Sequence, residues 1–250
     1  MTETCGEWVT PEALSMVYTR YRFAAEFCRG QRVLEVACGP GVGLGYLGRQ
    51  AGEIVGGDLT DRLLRQAQRS MQGVTALVRL QAEALPLRAG SRDVIVCYEA
   101  LYFFEDVERF VNECRRVLAP QGRLLLCTVN PEWPECHPSS YARRYYTARQ
   151  LSVLLKQSGF ACELFGAFGT EPASRRAAWV ARLKRVAAAW RVIPSTMAGK
   201  RLLKRLFLGA LVPFPAAVVD GMAAYTRPVP IESDQPVCSY KVLFAVGQRT

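Results

Sequence analysis

One stretch of this 250-residue chain gathers residue types suited to holding a nucleoside. Glu35-Val-Ala-Cys-Gly39-Pro-Gly41-Val-Gly43 closes an apolar run that begins at Arg32. Gly39, Gly41 and Gly43 would let the backbone pass close to a ligand and supply unusual torsions. A glycine pattern alone also serves dinucleotide sites, and a tight turn without any ligand is the plain alternative. Glu35 tilts the balance. A carboxylate inside the strand, four residues before Gly39, repels a pyrophosphate but suits a cationic ligand. The spacing is GxGxG rather than the GxGxxG of dinucleotide folds. Asp58 ends the next apolar run, 23 residues after Glu35. A carboxylate there can accept hydrogen bonds from both ribose hydroxyls; alone it could equally be a helix N-terminal charge.

These residues need a scaffold of strands and helices. Residues 11–28 read as a helix carrying Tyr18, Tyr21 and Phe23. Strands are expected at Arg32–Ala37, Glu53–Gly57, Thr75–Leu80, Asp93–Tyr98, Arg123–Val129, Phe160–Phe165 and Tyr240–Val246. Helices are expected at Gly43–Ala51, Thr60–Met71, Val107–Leu118 and Thr147–Ser158. Strands alternating with helices imply a doubly wound α/β fold around a mostly parallel, seven-stranded sheet. The strands lack polar alternation, which fits burial on both faces. A ligand then sits at the carboxyl ends of the strands, where strand order reverses.

Three further segments complete a pattern: Leu80-Gln-Ala-Glu83-Ala-Leu-Pro-Leu87, Asp93-Val-Ile-Val-Cys-Tyr98-Glu99-Ala-Leu and Arg116-Val-Leu-Ala-Pro-Gln-Gly122. Together with the glycine turn they resemble the class I S-adenosylmethionine (SAM) dependent methyltransferases, in the broad group acting on small molecules and lipids. The resemblance covers roughly residues 30–165. It implies that the turn with Glu35, Ala37, Gly39 and Gly41 holds the methionine part of SAM. Asp58 and Leu59 would meet the ribose, Gln81, Ala82 and Glu83 the adenine, and Tyr98–Leu101 would border the transferring methyl group. The family often has Asp where this chain has Gln81, whose carbonyl can still accept from an amino group. Glu83 could substitute, or be a solvated loop charge. No metal is implied.

Methyl transfer is an in-line displacement, accelerated by alignment and exclusion of water. A base is needed only where the nucleophile must lose a proton. Tyr98, Glu99 and His137 are the candidate catalytic groups; Glu99 could instead begin a helix, and His137 lies in a loop. Tyr18 and Tyr21 could cover the methionine end or pack in the core. Tyr141, Tyr145 and Tyr146 could line an acceptor pocket. Two other classes stay open: a nicotinamide-dependent oxidoreductase using the same glycines, and a SAM-binding regulatory protein without catalysis.

Charge and cysteine usage bound the partners. The chain carries a net +10, which points to an anionic partner. Nine cysteines without a C-x-x-C pair, and a single histidine, argue against a zinc site and for buried thiols of a reduced, cytoplasmic protein. The N-terminus lacks a signal-peptide pattern. The most apolar stretch, residues 206–219, contains Pro213 and Pro215 and is too short to span a bilayer.

Three regions are expected: 1–170 as the SAM-binding core with a lid helix, 171–236 as a basic helical insert capping the substrate, and 237–250 as the last strand. The insert holds eleven basic and four acidic residues, and so most of the net charge. Within it, 174–211 has two basic amphipathic patterns, with Trp179 and Trp190 on the first. They suit either a solvated face over the core or peripheral contact with an anionic membrane, where a lipid-like acceptor would be natural. No groove-reading or aromatic-basic module points to nucleic acid.

Overall fold

The computed structural model describes residues 7–71, 76–170 and 211–250. Its main sheet has eight strands. In chain order the elements are β1 (Trp8–Val9), α1 (Pro11–Cys28), β2 (Arg32–Val36), α2 (Leu44–Gly48), β3 (Glu53–Asp58), α3 (Asp61–Met71), β4 (Ala76–Arg79) and β5 (Arg92–Tyr98). A 3-10 turn, Leu101–Phe103, leads to α4 (Val107–Val117), β6 (Leu118–Val129), α5 (Ala148–Gln157), β7 (Phe160–Gly169), β8 (Val212–Pro213), β9 (Val229–Pro230) and β10 (Tyr240–Arg249).

The spatial order is β4-β3-β2-β5-β6-β10-β7-β9. Strands β2 to β6 pair in parallel, and β10 inserts antiparallel between β6 and β7. The expected sheet of seven strands gains an eighth at its edge. This is the two-residue β9, where Pro230 is tolerated because one side of an edge strand needs no ladder donor.

Alternate residues of each strand feed opposite faces, so two apolar layers form. Val33, Val94, Val96 and Phe244 pack under α1 and α2. Leu34, Ile95, Leu124 and Leu243 pack under α4 and α5 with Phe110, which is fully buried. Local chemistry fixes the helix starts. The Thr10 hydroxyl accepts from the Ala13 N–H at the head of α1. Asp106 does the same for Arg109 at α4, and Thr147 and Gln150 form a reciprocal capping box at α5.

Two elements differ from the sequence reading. Helix α2 spans only Leu44–Gly48, shorter than the expected Gly43–Ala51. Ala119-Pro120-Gln121-Gly122 does not stand outside the fifth core strand. It forms an irregular start to β6, where the register slips between Arg92↔Leu118 and Val94↔Arg123 and Gln121 takes φ 64°.

Beyond residue 210 the chain is extended. β8 pairs with β1, and the Phe214 N–H donates to the Glu7 carbonyl. The chain then passes the glycine turn, where Val218 N–H donates to Val42 O, and crosses α1, where Gly221 N–H donates to the Tyr18 hydroxyl and Thr226 N–H to the Thr19 hydroxyl. The two basic segments expected at 174–193 and 199–211 lie, apart from Leu211, outside the described residues. Within 211–236 the described chain holds no helix. Among the described residues no helix is long and apolar enough to cross a membrane.

Candidate active site

The strand order reverses between β2 and β5, and the glycine turn leaves the carboxyl end of β2 at that point. Ala37 has φ 58°, Gly39 55° and Gly41 78°. Ala37 is the costly member, since a left-handed torsion strains any residue with a Cβ. The three glycines are there for different reasons. A Cβ on Gly39 would meet nothing within 4 Å, so this residue faces open space. A Cβ on Gly41 would lie 2.9 Å from the Ala67 Cβ, and one on Gly43 would fall 1.7 Å from the Tyr21 ring. Gly41 and Gly43 thus make room for helix α3 and for Tyr21. Gly41 borders neither cavity of the site, and neither does Glu35.

Glu35 is 2% exposed. Its Oε1 accepts a 2.8 Å hydrogen bond from the Tyr21 hydroxyl, and its Oε2 has no partner among the described residues. Burial raises its carboxyl from the usual 4.5 to about 7; the Tyr21 hydrogen bond opposes this rise and the Asp58 charge adds to it. Burial likewise pushes the Tyr21 phenol well above its ordinary value, with Glu35 adding to it. Asp58 works on both sides of the turn. Its Oδ2 accepts from the Gly39 N–H at 2.9 Å and its Oδ1 from the Thr60 N–H at 2.8 Å. It braces the turn and still borders the cleft.

Two cavities meet over this turn. The outer one, about 650 Å³, is bordered by Asp58, Leu59, Gln81, Ala82, Glu83 and Phe104, among others. Leu59 is 60% exposed and offers an apolar shelf. Gln81 is exposed and Ala82 buried. Glu83 is buried, and its Oε1 accepts from the Glu105 N–H at 3.0 Å, so it braces the loop after the 3-10 turn rather than being a solvated charge. The inner cavity, about 150 Å³, is walled by Arg20, Tyr21, Tyr98, Tyr102, Phe103 and Phe214. Ala37, Gly39, Glu99 and Phe103 border both. Of the expected residues, then, Tyr21, Ala37, Gly39, Asp58, Leu59, Gln81, Ala82, Glu83, Tyr98 and Glu99 converge here.

The candidate catalytic groups separate. The Tyr98 hydroxyl is buried without a partner among the described residues, and burial raises its phenol well above 10. Glu99 takes φ 52°, and an Arg20 guanidinium nitrogen lies 3.0 Å from its Oε1. His137 is exposed and borders neither cavity. Tyr141 is 84% exposed, and Tyr145 reaches the site only by stacking on Tyr102 at 4.9 Å. Tyr18 packs edge-on against Tyr46 in the core and receives the Gly221 N–H.

Arg20 and Phe214 were not singled out by the sequence. Arg20 sits mid-helix among ordinary helix residues, one position before Tyr21, and only that adjacency hints at it. Phe214 belongs to a Pro-rich stretch without a period.

Residues 34–126 match a family model described as a methyltransferase domain. A Mycolicibacterium smegmatis protein described as a probable S-adenosylmethionine-dependent methyltransferase is 31% identical over 147 residues, covering 57% of each chain. A ubiquinone biosynthesis O-methyltransferase of Psychrobacter cryohalolentis is 32% identical over 118 residues, covering 45% of this chain and 44% of its own. The fold is shared with a SAM-dependent methyltransferase structure from Thermotoga maritima, at a TM-score of 0.61 and 14% identity over 96% of this chain and 92% of that one. The glycine turn lies within the residues matched to a methyltransferase domain, and the strand order with its reversal at β2 and β5 belongs to a fold shared with SAM-dependent methyltransferase structures. The chain spans about half the length of the relatives it matches.

Proposed function

We propose that this chain binds SAM across the two cavities and transfers its methyl group to a small-molecule or lipid-like acceptor that enters the inner one. The observation that carries this reading is Glu35. A carboxylate buried at the base of the glycine turn, with one oxygen unpartnered, opposes a pyrophosphate and suits an ammonium group. Glu35 itself borders neither cavity; Tyr21 borders the inner one, and its hydroxyl donates to that carboxylate. In this reading Asp58 accepts from the ribose hydroxyls with its remaining lone pairs. Leu59 and Ala82 flank the adenine and Gln81 accepts from its amino group. The open face of Gly39 admits the backbone side of the ligand.

When bound, SAM supplies a methyl group on a sulfonium, already activated for displacement. The chain's part is to align and to exclude water. Phe103 borders both cavities and Tyr98 and Phe214 wall the inner one, where the acceptor would approach in line. The ubiquinone-pathway relative supports a small-molecule acceptor. A lipid-tailed acceptor delivered by contact between the basic 174–211 segment and an anionic membrane rests on charge alone. Flotation with anionic liposomes at low salt tests it, and no association refutes it.

The donor is tested by thermal shift with SAM, S-adenosylhomocysteine and NADH. A ligand at 100 times its dissociation constant adds about 2.7 kcal/mol of stability. SAM and S-adenosylhomocysteine should shift the transition and NADH should not. A shift with NADH alone would overturn the reading in favour of an oxidoreductase. Binding without methyl transfer to any acceptor would leave a regulatory protein.

A further inference from the structure

The main sheet leaves part of one edge open. Strand β7 pairs with β10 from Phe160 to Gly169. On its outer side β9 covers only Phe165 and Gly166, and the Ile231 N–H donates to the Leu164 carbonyl. Among the described residues no strand lies beyond Phe160–Glu163. Along an antiparallel strand the N–H and C=O groups of every second residue turn to the same side. With Leu164 turned to β9, those of Cys162 and Phe160 face the open side. A groove of about 610 Å³ runs past this stretch, bordered by Ser152 and Lys156 of α5, by Cys162 to Phe165 of β7 and by Pro230 to Asp234. It shares no residue with the two cavities of the candidate active site.

We infer that this groove is a docking site for an extended, basic segment of another polypeptide, which adds a strand to the outer edge of β7 at Cys162.

Edge strands are ordinarily blunted by lysines, prolines, bulges or a covering element. Phe160-Ala161-Cys162-Glu163 holds neither Lys nor Pro, and β9 stops short of it. A strand laid in the groove continues the line of β9. Its backbone pairs with the Cys162 N–H and carbonyl, and main-chain pairing of this kind supplies the affinity in strand addition. Charge selects the occupant. Glu163, Glu232 and Asp234 border the groove against Lys156 alone. All three carboxylates are exposed, and none has an ion pair among the described residues. On a chain of net +10 this acidic edge runs against the overall charge. Alternate residues of an extended segment share one face, so lysines or arginines at every second position can meet these carboxylates together. A second copy of this chain fits less well, because two such grooves would bring the same excess of carboxylates face to face.

The test uses the full chain and two capped, labelled hexapeptides, one alternating valine with lysine and the other valine with glutamate. Fluorescence anisotropy at low salt should show the lysine peptide binding at least about tenfold tighter. Hydrogen exchange followed by NMR gives the location. At saturating lysine peptide the Cys162 amide should exchange at least about tenfold more slowly, while the Ala161 and Glu163 amides, turned to β10, keep their rates. Glu163→Lys combined with Asp234→Lys should weaken the lysine peptide at least about tenfold and reverse the order of the two peptides. Equal binding of the two peptides, no saturable binding, or unchanged exchange at Cys162 overturns the inference. These wild-type readings decide even where the double variant fails to fold. Undiminished lysine-peptide binding by the folded variant overturns it as well. Sedimentation equilibrium that finds a dimer which the lysine peptide does not dissociate overturns it in favour of a second copy.

Discussion

Glu35 should make both stability and donor binding depend on pH, in opposite senses. Its carboxyl stands at about 7 in the fold, against an ordinary 4.5, chiefly because it is buried. Ionising it there costs about 3 kcal/mol more than in the unfolded chain. The folded state therefore holds the proton more tightly than the unfolded state between these values. This share of the stability is complete below about 4.5, is lost progressively as pH rises to about 7, and stays lost above. Asp93 and Glu113, held low by Arg32 and Arg116, act below that window: their stabilisation is present above their unfolded values and lost as pH falls through the folded ones. Urea unfolding of wild type and Glu35→Gln at pH 5 to 8 isolates the term, because the variant cannot titrate. The stability difference should move towards the variant by up to about 3 kcal/mol across the window. Donor binding runs the other way. An ammonium at the unpartnered Oε2 requires the ionised carboxylate, so SAM affinity should fall about tenfold per pH unit below 7. Calorimetry at pH 6 in buffers of different ionisation enthalpy should find nearly one proton released per SAM bound. A SAM dissociation constant that stays flat from pH 5.5 to 7.5 in folded protein, or proton uptake on binding, refutes the role assigned to Glu35.

The two left-handed glycines of the turn should respond in opposite order. Gly39→Ala meets no neighbour and costs the fold only about 1 kcal/mol of torsional strain, but its methyl occupies the open face and should weaken SAM at least about tenfold. Gly41→Ala adds a 2.9 Å contact with Ala67, should cost about 3 kcal/mol or more, and should leave the folded fraction binding SAM within a few-fold. Circular-dichroism melts paired with SAM titrations separate the two, and wild-type affinity in Gly39→Ala would refute the placement. Asp58→Ala should abolish the SAM-induced thermal shift. It should also cost on the order of 2–4 kcal/mol without ligand, since the Gly39 and Thr60 N–H groups lose their acceptor. An undiminished shift would remove Asp58 from the ribose.

The proposed donor side of the site was legible because its residues come together near where they stand in the chain. Apolar runs without alternation gave β2, β3 and β5, and the residues at their carboxyl ends, from Ala37 to Gly39, Asp58 and Tyr98 to Glu99, necessarily cluster where the strand order reverses. The same locality limits what could be read at Gly41 and Gly43. A sequence records that no Cβ is tolerated, but not whether a ligand, Ala67 or a tyrosine ring fills the space. His137 drew notice by its chemistry alone, and an exposed loop gives a side chain no reason to face a cavity. The proposed acceptor side is long-range by construction. Arg20 meets Glu99 across 79 positions of sequence, and Phe214 reaches the inner cavity only because 211–226 is threaded over α1 by backbone donors to Val42, Tyr18 and Thr19. No periodicity announces such contacts, since each depends on how separate elements dock. The donor seat is built from strand ends that the sheet itself must align, whereas the acceptor seat depends on a crossing chain that can change without disturbing the sheet. Changes of acceptor specificity in this chain should therefore be easiest to obtain at Phe214 and its neighbours on the crossing segment, while Glu35 and Asp58 stay fixed.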